Sequence, residues 1–370
     1  MTKLSTITCS YFPTCSGCKK QTDLFNSPNW QQIQSYFSPH PITLHHDKVI
    51  GWRMRAKLAV RGTTQNPSIG LFKAGTHEVF DLIDCPLHHP SINQALQIIR
   101  ETLSHISLEP YNETKISGLL RYLQFVVERK TGKVQLTLVI NAKTLDPNLT
   151  RYVKQLYTHD IWHSIWVNFQ PGSTNTILSD QWQRLEGEPY VWESLNNQEI
   201  PFHPACFAQA HLDLFELMLK HIEENLLPHK KVLELFAGVG AIGFTALPKS
   251  QSVTCVEANP FAKQCFDLAK QKLPEGSPIF FQNQRAENAS IDQAEVLIVD
   301  PPRKGLDAQL RKRILGQPQL QQLIYVSCGW EGFVRDCDDF LKQGWQIQHA
   351  AGYLLIPGSD QIETLTIFKK

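Results

Sequence analysis

From Gly51 to Leu195 apolar and polar residues alternate in short runs: Trp52 to Arg61, Val79 to Ile83, Leu119 to Glu128, Val134 to Ile140 and Ser164 to Phe169. Gly, Asn and Pro punctuate them, as in Gly62 to Ser68 and Gln170 to Ser173, which predicts β-strands joined by turns. Helical spacing appears once in this half, at Ile92 to Ile106. From Ala208 onward the period changes. Leu212, Phe215, Leu219 and Ile222 predict a helix. Strands then alternate with helices: Val232 to Phe236, Ala241 to Leu247 (helix), Val253 to Glu257, Pro260 to Lys272 (helix), Ile279 to Gln282, Val296 to Asp300 and Leu323 to Val326. That alternation predicts an α/β fold with a doubly wound, largely parallel, Rossmann-like sheet. The last two runs, His349 to Ile356 and Glu363 to Phe368, have no helix between them and are expected to finish the sheet antiparallel. A linker near Pro201 to Pro204 separates the halves, giving an expected division into residues 1–45, 46–200 and 201–370.

Composition changes this picture little. With 370 residues, 42% apolar and 19% charged, the chain is neither disordered, collagenous nor coiled-coil. Net charge is +1, so any surface for a polyanion must be local. Met1 to Ser10 lacks the apolar core of a signal peptide, and no apolar run approaches about 18 residues. A cytoplasmic, monomeric protein without a membrane partner is expected. Of the nine cysteines, Cys85, Cys206, Cys255, Cys265 and Cys337 are scattered singly, whereas Cys9, Cys15 and Cys18 crowd into ten residues. In a reducing compartment such a cluster reads first as metal-binding.

The first strand of the second half runs into Ala237-Gly238-Val239-Gly240-Ala241-Ile242-Gly243 and then a helix, the arrangement that brings backbone close to a ligand at a helix N-terminus. Nineteen residues after Gly238, at the end of the next strand, stands Glu257, placed to accept bonds from ribose hydroxyls. A nucleoside cofactor follows. Asp300-Pro301-Pro302-Arg303-Lys304-Gly305 closes the fourth strand with a rigid, donor-poor loop suited to orienting a planar base, which favours S-adenosylmethionine over a dinucleotide.

The next strand ends in Ser327-Cys328-Gly329, on the binding edge of such a sheet. A free thiol is only a few per cent thiolate near pH 7, and Arg303 or Lys304 on the neighbouring loop is expected to help. Methylating nitrogen or oxygen requires no thiol. Carbon 5 of a pyrimidine is different: thiolate addition at C6 makes C5 nucleophilic, and a base must later remove the C5 proton. Glu363, at the start of the last strand, is the carboxylate placed for that task.

These residues resemble the RNA uracil-5-methyltransferases, which make 5-methyluridine. The resemblance covers Glu257, Asp300 to Gly305, Ser327-Cys328, Glu363 and the Phe207-Ala208-Gln209 motif that leads into the catalytic domain. It implies a class I S-adenosylmethionine-dependent methyltransferase domain. Gln209, Phe236, Gly238, Gly240, Glu257 and Asp300 would then hold the cofactor, Cys328 would be the nucleophile and Glu363 the base. This chain departs from the family in having Gly329-Trp330 where Asn usually follows Ser-Cys, and Gln361 where His usually precedes the Glu by two.

Cys9, Cys15 and Cys18, followed by Cys85, match the spacing by which ribosomal-RNA members hold a 4Fe-4S cluster, so the resemblance implies 23S ribosomal RNA as partner. Four sulfurs also suit tetrahedral zinc, the runner-up. From Lys48 to His77 there are six Lys or Arg and no acid, and Arg53, Arg55, Lys57 and Arg61 alternate with apolar residues, which predicts a basic stripe for phosphates. The other readings open at this point are a transfer-RNA uracil-C5 methyltransferase, an adenine-N6 methyltransferase built on the Asp-Pro-Pro loop, and a non-catalytic RNA-binding metal protein.

Overall fold

The computed structural model describes residues 6–370; the start of the Met1 to Ser10 stretch, and with it the first five residues of the expected 1–45 segment, lie outside the described residues. The chain forms two compact units, one of Phe25–Asp47 with Trp192–Lys370 and the other of Met1–Leu24 with Lys48–Val191.

The first of these holds an eight-stranded sheet. In spatial order its strands are Thr43–His45, Gln346–Tyr353, Glu363–Lys369, Gln322–Ser327, Val296–Val299, Lys231–Leu235, Ser252–Glu257 and Ile279–Asn283. The five strands from Gln322–Ser327 to Ile279–Asn283 run parallel. Glu363–Lys369 is antiparallel to both its neighbours, as the missing helix between the last two runs predicts. Strand order reverses between Lys231–Leu235 and its two parallel neighbours, so the carboxyl ends of these strands face a crevice where α/β folds bind ligands. Val232, Leu233, Leu235, Val296 to Val299 and Leu323 to Val326 are all buried, the continuous apolar pattern of strands covered on both faces.

Two boundaries differ from the sequence expectation. Thr43–His45 pairs in parallel with Ala351 to Tyr353, which draws residues 25–47 into this unit rather than into a cysteine-bearing N-terminal segment. The unit also starts at Trp192, ahead of the Pro201 to Pro204 linker, because the Gln198–Phe202 strand of a two-stranded hairpin packs on the Pro260–Lys270 helix.

The other unit is built on a seven-stranded sheet ordered Val79–Asp81, Pro67–Phe72, Arg55–Gly62, Leu120–Val127, Val134–Ile140, Trp162–Phe169 and Trp182–Gly187. All pairings are antiparallel except that between Val134–Ile140 and Trp162–Phe169. The Pro90–His105 and Pro147–Leu156 helices bury Ile92, Leu96, Ile99, Leu149 and Leu156 completely. Among the described residues no helix is long and apolar enough to cross a membrane.

Candidate active site

The glycine loop follows the Lys231–Leu235 strand. Phe236 takes a left-handed φ of 61°, a conformation uncommon for a bulky residue and one that clusters at functional loops. Gly238 and Gly240 are also left-handed, at 54° and 86°. Gly240 is the N-cap of the Ala241–Ala246 helix, and a Cβ there would meet the Phe266 ring at 3.0 Å. A Cβ on Gly238 would stand in open space. That space belongs to a cavity of about 60 Å³ lined by Gln209, Phe236, Gly238 and Asp300, among others. Glu257 holds the loop from the next strand: its Oε2 accepts the Gly238 N–H at 3.1 Å and its Oε1 the Asn259 N–H at 2.9 Å. A carboxylate has about four acceptor positions, so both oxygens keep capacity for a ligand hydroxyl. Four of the six sequence-predicted cofactor residues thus line one cavity; Glu257 touches its loop, and Gly240 acts through the helix start.

One residue below this loop escaped the sequence reading. Glu234 is completely buried under it, where Oε2 accepts the Gly243 N–H at 2.9 Å and the Cys255 thiol donates to it at 3.2 Å. Burial pushes its pKa up to about 8, against which those two bonds work only in part, so the group is held protonated at neutral pH. A lone carboxyl inside an apolar strand was the available signal.

At the other end of the crevice, Ser327 pairs with Thr364 in the antiparallel ladder, so the next step sets Cys328 beside Glu363. Both follow from sequence position. The electrostatics do not. Burial pushes the Cys328 thiol up to about 11, with Glu363 and Asp300 adding to it, and Arg303 opposes them without overcoming them. The expected activation by the basic loop is therefore corrected: burial beside two carboxyls outweighs one exposed guanidinium. Glu363 is likewise held protonated well above the ordinary carboxyl range, first by burial and then by Asp300, and its Oε1 has no hydrogen-bond partner. Burial raises Asp300 to about 7.

Three glycines fix this arrangement. A Cβ on Gly329 would lie 2.0 Å from the Arg303 carbonyl oxygen, one on Gly332 2.6 Å from the Gly305 nitrogen, and one on Gly305 2.6 Å from Asp336 Oδ2. The turn after Cys328 and the Asp-Pro-Pro loop are thus in backbone contact, which explains why glycine stands at 329. Asp336, fully buried, clamps the same loop: it accepts the Leu306 N–H at 2.6 Å and the Tyr325 hydroxyl at 2.8 Å, and pairs with Arg311 at 2.9 Å.

In the β-rich unit Cys9, Cys15, Cys18 and Cys85 line one cavity of about 230 Å³. Burial raises Cys18 to about 11, followed in size by the fields of Cys85, Cys15 and Cys9. The four thiols are a donor set suited to iron or zinc. Among the described residues, however, no group of three or more His, Cys, Asp or Glu side chains stands close enough to hold a metal ion.

The basic stripe is only partly a surface. Arg61 is buried: it donates to the Val60 and Arg121 carbonyls at 2.8 and 2.9 Å, pairs with Glu113, and lies 5.1 to 5.4 Å from the rings of Phe72, Tyr111 and Tyr122. Its expected phosphate contact is corrected, because its face of the strand is covered by aromatic residues at that end. Arg53 lines the cysteine cavity, Arg55 is half-buried and Lys57 is exposed.

Against known proteins, the model of the methyltransferase small domain matches residues 197–318, which spans the glycine loop and the Asp-Pro-Pro loop. The chain is 45% identical to an uncharacterized RNA methyltransferase of Protochlamydia amoebophila, over 98% of either chain. This protein belongs to the RNA methyltransferases. An RNA methyltransferase of Halalkalibacterium halodurans is a further relative, 24% identical over 97% of this chain and 82% of its own. Among solved structures, the tRNA (uracil-54, C5)-methyltransferase of Pyrococcus abyssi, in complex with S-adenosyl-L-homocysteine, superposes with a TM-score of 0.77 at 22% identity, covering 96% of this chain and 86% of that one. This RNA methyltransferase accordingly has the class I methyltransferase fold that its alternating strands and helices predict.

Proposed function

We propose that the protein is an S-adenosylmethionine-dependent methyltransferase forming 5-methyluridine at C5 of a uridine in 23S ribosomal RNA. The observation that carries this reading is the pairing of a thiol, Cys328, with a buried carboxyl, Glu363, whose Oε1 is unpartnered, at the carboxyl edge of the sheet. Neither adenine-N6 methylation nor RNA binding alone has a use for that pair.

Gln209, Phe236, Gly238, Gly240, Glu257 and Asp300 would hold S-adenosylmethionine, and the open space beside Gly238 fits a ligand against the loop backbone. The cofactor supplies an electrophilic methyl group. Cys328 Sγ adds to C6 of the uracil, and the ring electrons move to C5, which takes the methyl. Glu363 then removes the C5 proton, the C5–C6 double bond re-forms and the C6–S bond breaks, returning the thiol. Burial keeps both the Cys328 and the Glu363 protons on in the resting protein, so each must be lost to solvent first, that of Cys328 before it adds to C6 and that of Glu363 before it takes the C5 proton. A base stacked in a helix cannot reach the sulfur, so the substrate is a loop uridine flipped out of its stack.

By the resemblance of their spacing the four cysteines would hold a 4Fe-4S cluster; all four line one cavity, but among the described residues no three of them stand at metal-holding distance. That resemblance favours ribosomal RNA. The fold likeness to an enzyme named for tRNA uracil 54 makes transfer RNA the second reading. The test is tritiated methyl transfer to unmodified 23S ribosomal RNA and to unmodified transfer RNA, with wild type and Cys328→Ala. Labelled 5-methyluridine in the ribosomal RNA, lost in the variant, is expected. Full activity of the variant overturns the mechanism, and labelling of transfer RNA alone overturns the substrate.

A further inference from the structure

We propose that the Pro28–Phe37 helix positions both reacting groups, Tyr36 steadying Cys328 and Trp30 steadying Glu363, an inference that rests on the mechanism proposed above. The helix is set up locally. Ser27 caps it by accepting the Trp30 N–H at 3.1 Å, and Pro28 stands in its first turn. Trp30, Ile33 and Phe37 recur at helical spacing and are buried, so one face is committed to the catalytic unit. At the C-terminal end, Tyr36 stands edge-on to Trp330 with ring centres 5.4 Å apart, and Phe37 packs on Trp330 and Phe333 at 6.2 and 6.0 Å. Trp330 is the first residue of the Trp330–Lys342 helix, whose N-cap, Gly329, directly follows Cys328. The Tyr36 hydroxyl donates to Asp338 Oδ1 on that helix at 2.6 Å.

At the other end, the Trp30 ring lies so close on Gly352 that a Cβ there would come within 2.5 Å of it. Gly352 is the strand partner of Thr364, and Tyr353 that of Glu363. Asn29 Nδ2 donates at 2.8 Å to the carbonyl of Asp360, three residues ahead of Glu363. One ten-residue helix thus runs from the turn behind the sulfur to the ladder that carries the carboxyl. Both groups must keep their places within about 0.5 Å, and a displacement of about 1 Å costs on the order of 100-fold in rate. Among the described residues, those lining the cavity of Gln209, Phe236, Gly238 and Asp300 include none from this helix. Its influence therefore falls on the chemical steps and spares the cofactor.

The experiment compares wild type, Tyr36→Ala, Tyr36→Phe and Trp30→Phe. Its readouts are kcat and KM for S-adenosylmethionine, the rate of adduct formation with 5-fluorouridine-substituted RNA, and the amount of protein–RNA adduct held on natural RNA. In Tyr36→Ala, kcat and the rate of adduct formation should fall together by roughly 10- to 100-fold, with KM for the cofactor unchanged. Tyr36→Phe keeps the ring against Trp330 and should recover most of that loss, which a general folding defect would not predict. Tyr36→Leu takes the place of Tyr36→Ala if the latter does not fold. Trp30→Phe should form adduct at the wild-type rate but accumulate it on natural RNA, because proton removal by Glu363 is the step it slows. Wild-type adduct formation in the Tyr36 variants overturns the assignment of Tyr36, and no accumulation in Trp30→Phe overturns that of Trp30. A rise in KM that accounts for the whole loss overturns both. Wild type that forms no adduct overturns the mechanism and this inference with it, a result seen before any variant is compared.

Discussion

Cys328 and Glu363 face each other at the end of an antiparallel ladder whose last registered pair is Ser327 with Thr364. The carboxyl raises the thiol's pKa, and burial holds both groups protonated in the resting protein. The proposed reaction, which needs a thiolate first and a carboxylate later, therefore requires both groups to lose a proton.

Removing either partner should stop the cycle at a different point. Cys328→Ala is expected to lower methyl transfer by about 1,000-fold or more, as removal of a covalent nucleophile does. It should also form no adduct with a 5-fluorouridine-substituted RNA. Glu363→Gln keeps the nucleophile, so it should form a protein–RNA adduct on natural RNA and release it slowly. Denaturing gels with labelled RNA distinguish the two, and a Glu363→Gln protein with normal turnover would remove Glu363 from the mechanism.

The raised acids give stability a defined pH dependence. Glu234 goes from an ordinary value of 4.5 to about 8 on burial. A folded-state pKa above the unfolded one means stability is fully present below about 4.5 and is lost as pH rises through about 8. Asp300, at about 7, acts in the same sense. The thermal midpoint should therefore fall as pH rises from about 4.5 to about 8, a window set by these two acids. Glu234→Gln keeps an acceptor for the Gly243 N–H and should flatten that slope. An identical slope in the variant would show that Glu234 does not titrate there.

Gly329→Ala tests the contact between the two loops. Its Cβ would fall 2.0 Å from the Arg303 carbonyl oxygen, so backbone must move. Overpacking of this kind costs about 1–3 kcal/mol. Displacement of a reacting group by about 1 Å costs on the order of 100-fold in rate. Calorimetry and methyl-transfer kinetics should therefore show a small loss of stability beside a large loss of kcat.

Arg61 and Lys57 should behave oppositely although the sequence sets them on one stripe. Arg61→Ala leaves Glu113 with only the exposed His77 as partner and should lower stability by about 1–3 kcal/mol, with the salt slope of RNA binding unaltered. Lys57→Ala should leave the thermal midpoint in place. If the exposed Lys57 meets a phosphate, the salt slope falls by about 0.7–0.9.

Much of the catalytic unit was legible because its signals are local. A strand, a glycine loop, a helix and an acid at the next strand end are all fixed by short-range pattern, and Gln209, Phe236, Gly238 and Asp300 do share one cavity. The antiparallel finish was legible from the missing helix. The three-residue Thr43–His45 strand was not, since its partner lies some 300 residues away and so short a strand has no period of its own. Nor could spacing reveal that Asp336 anchors the Asp-Pro-Pro loop, because its bonds to Leu306, Tyr325 and Arg311 come from three separate elements.

By itself, the sequence determined which chemistry the chain carries: a thiol and a carboxyl at strand ends, a glycine loop, and a run of cations beside four cysteines. Tertiary structure decided the state of those groups. Charge and pKa depend on what surrounds a side chain within a few ångströms, and residues far apart in the chain supply those surroundings. That is why Arg61 became a core residue among three aromatic rings, Arg53 came to line the cysteine cavity, and Cys328 is held protonated where nearby basic residues had promised the reverse.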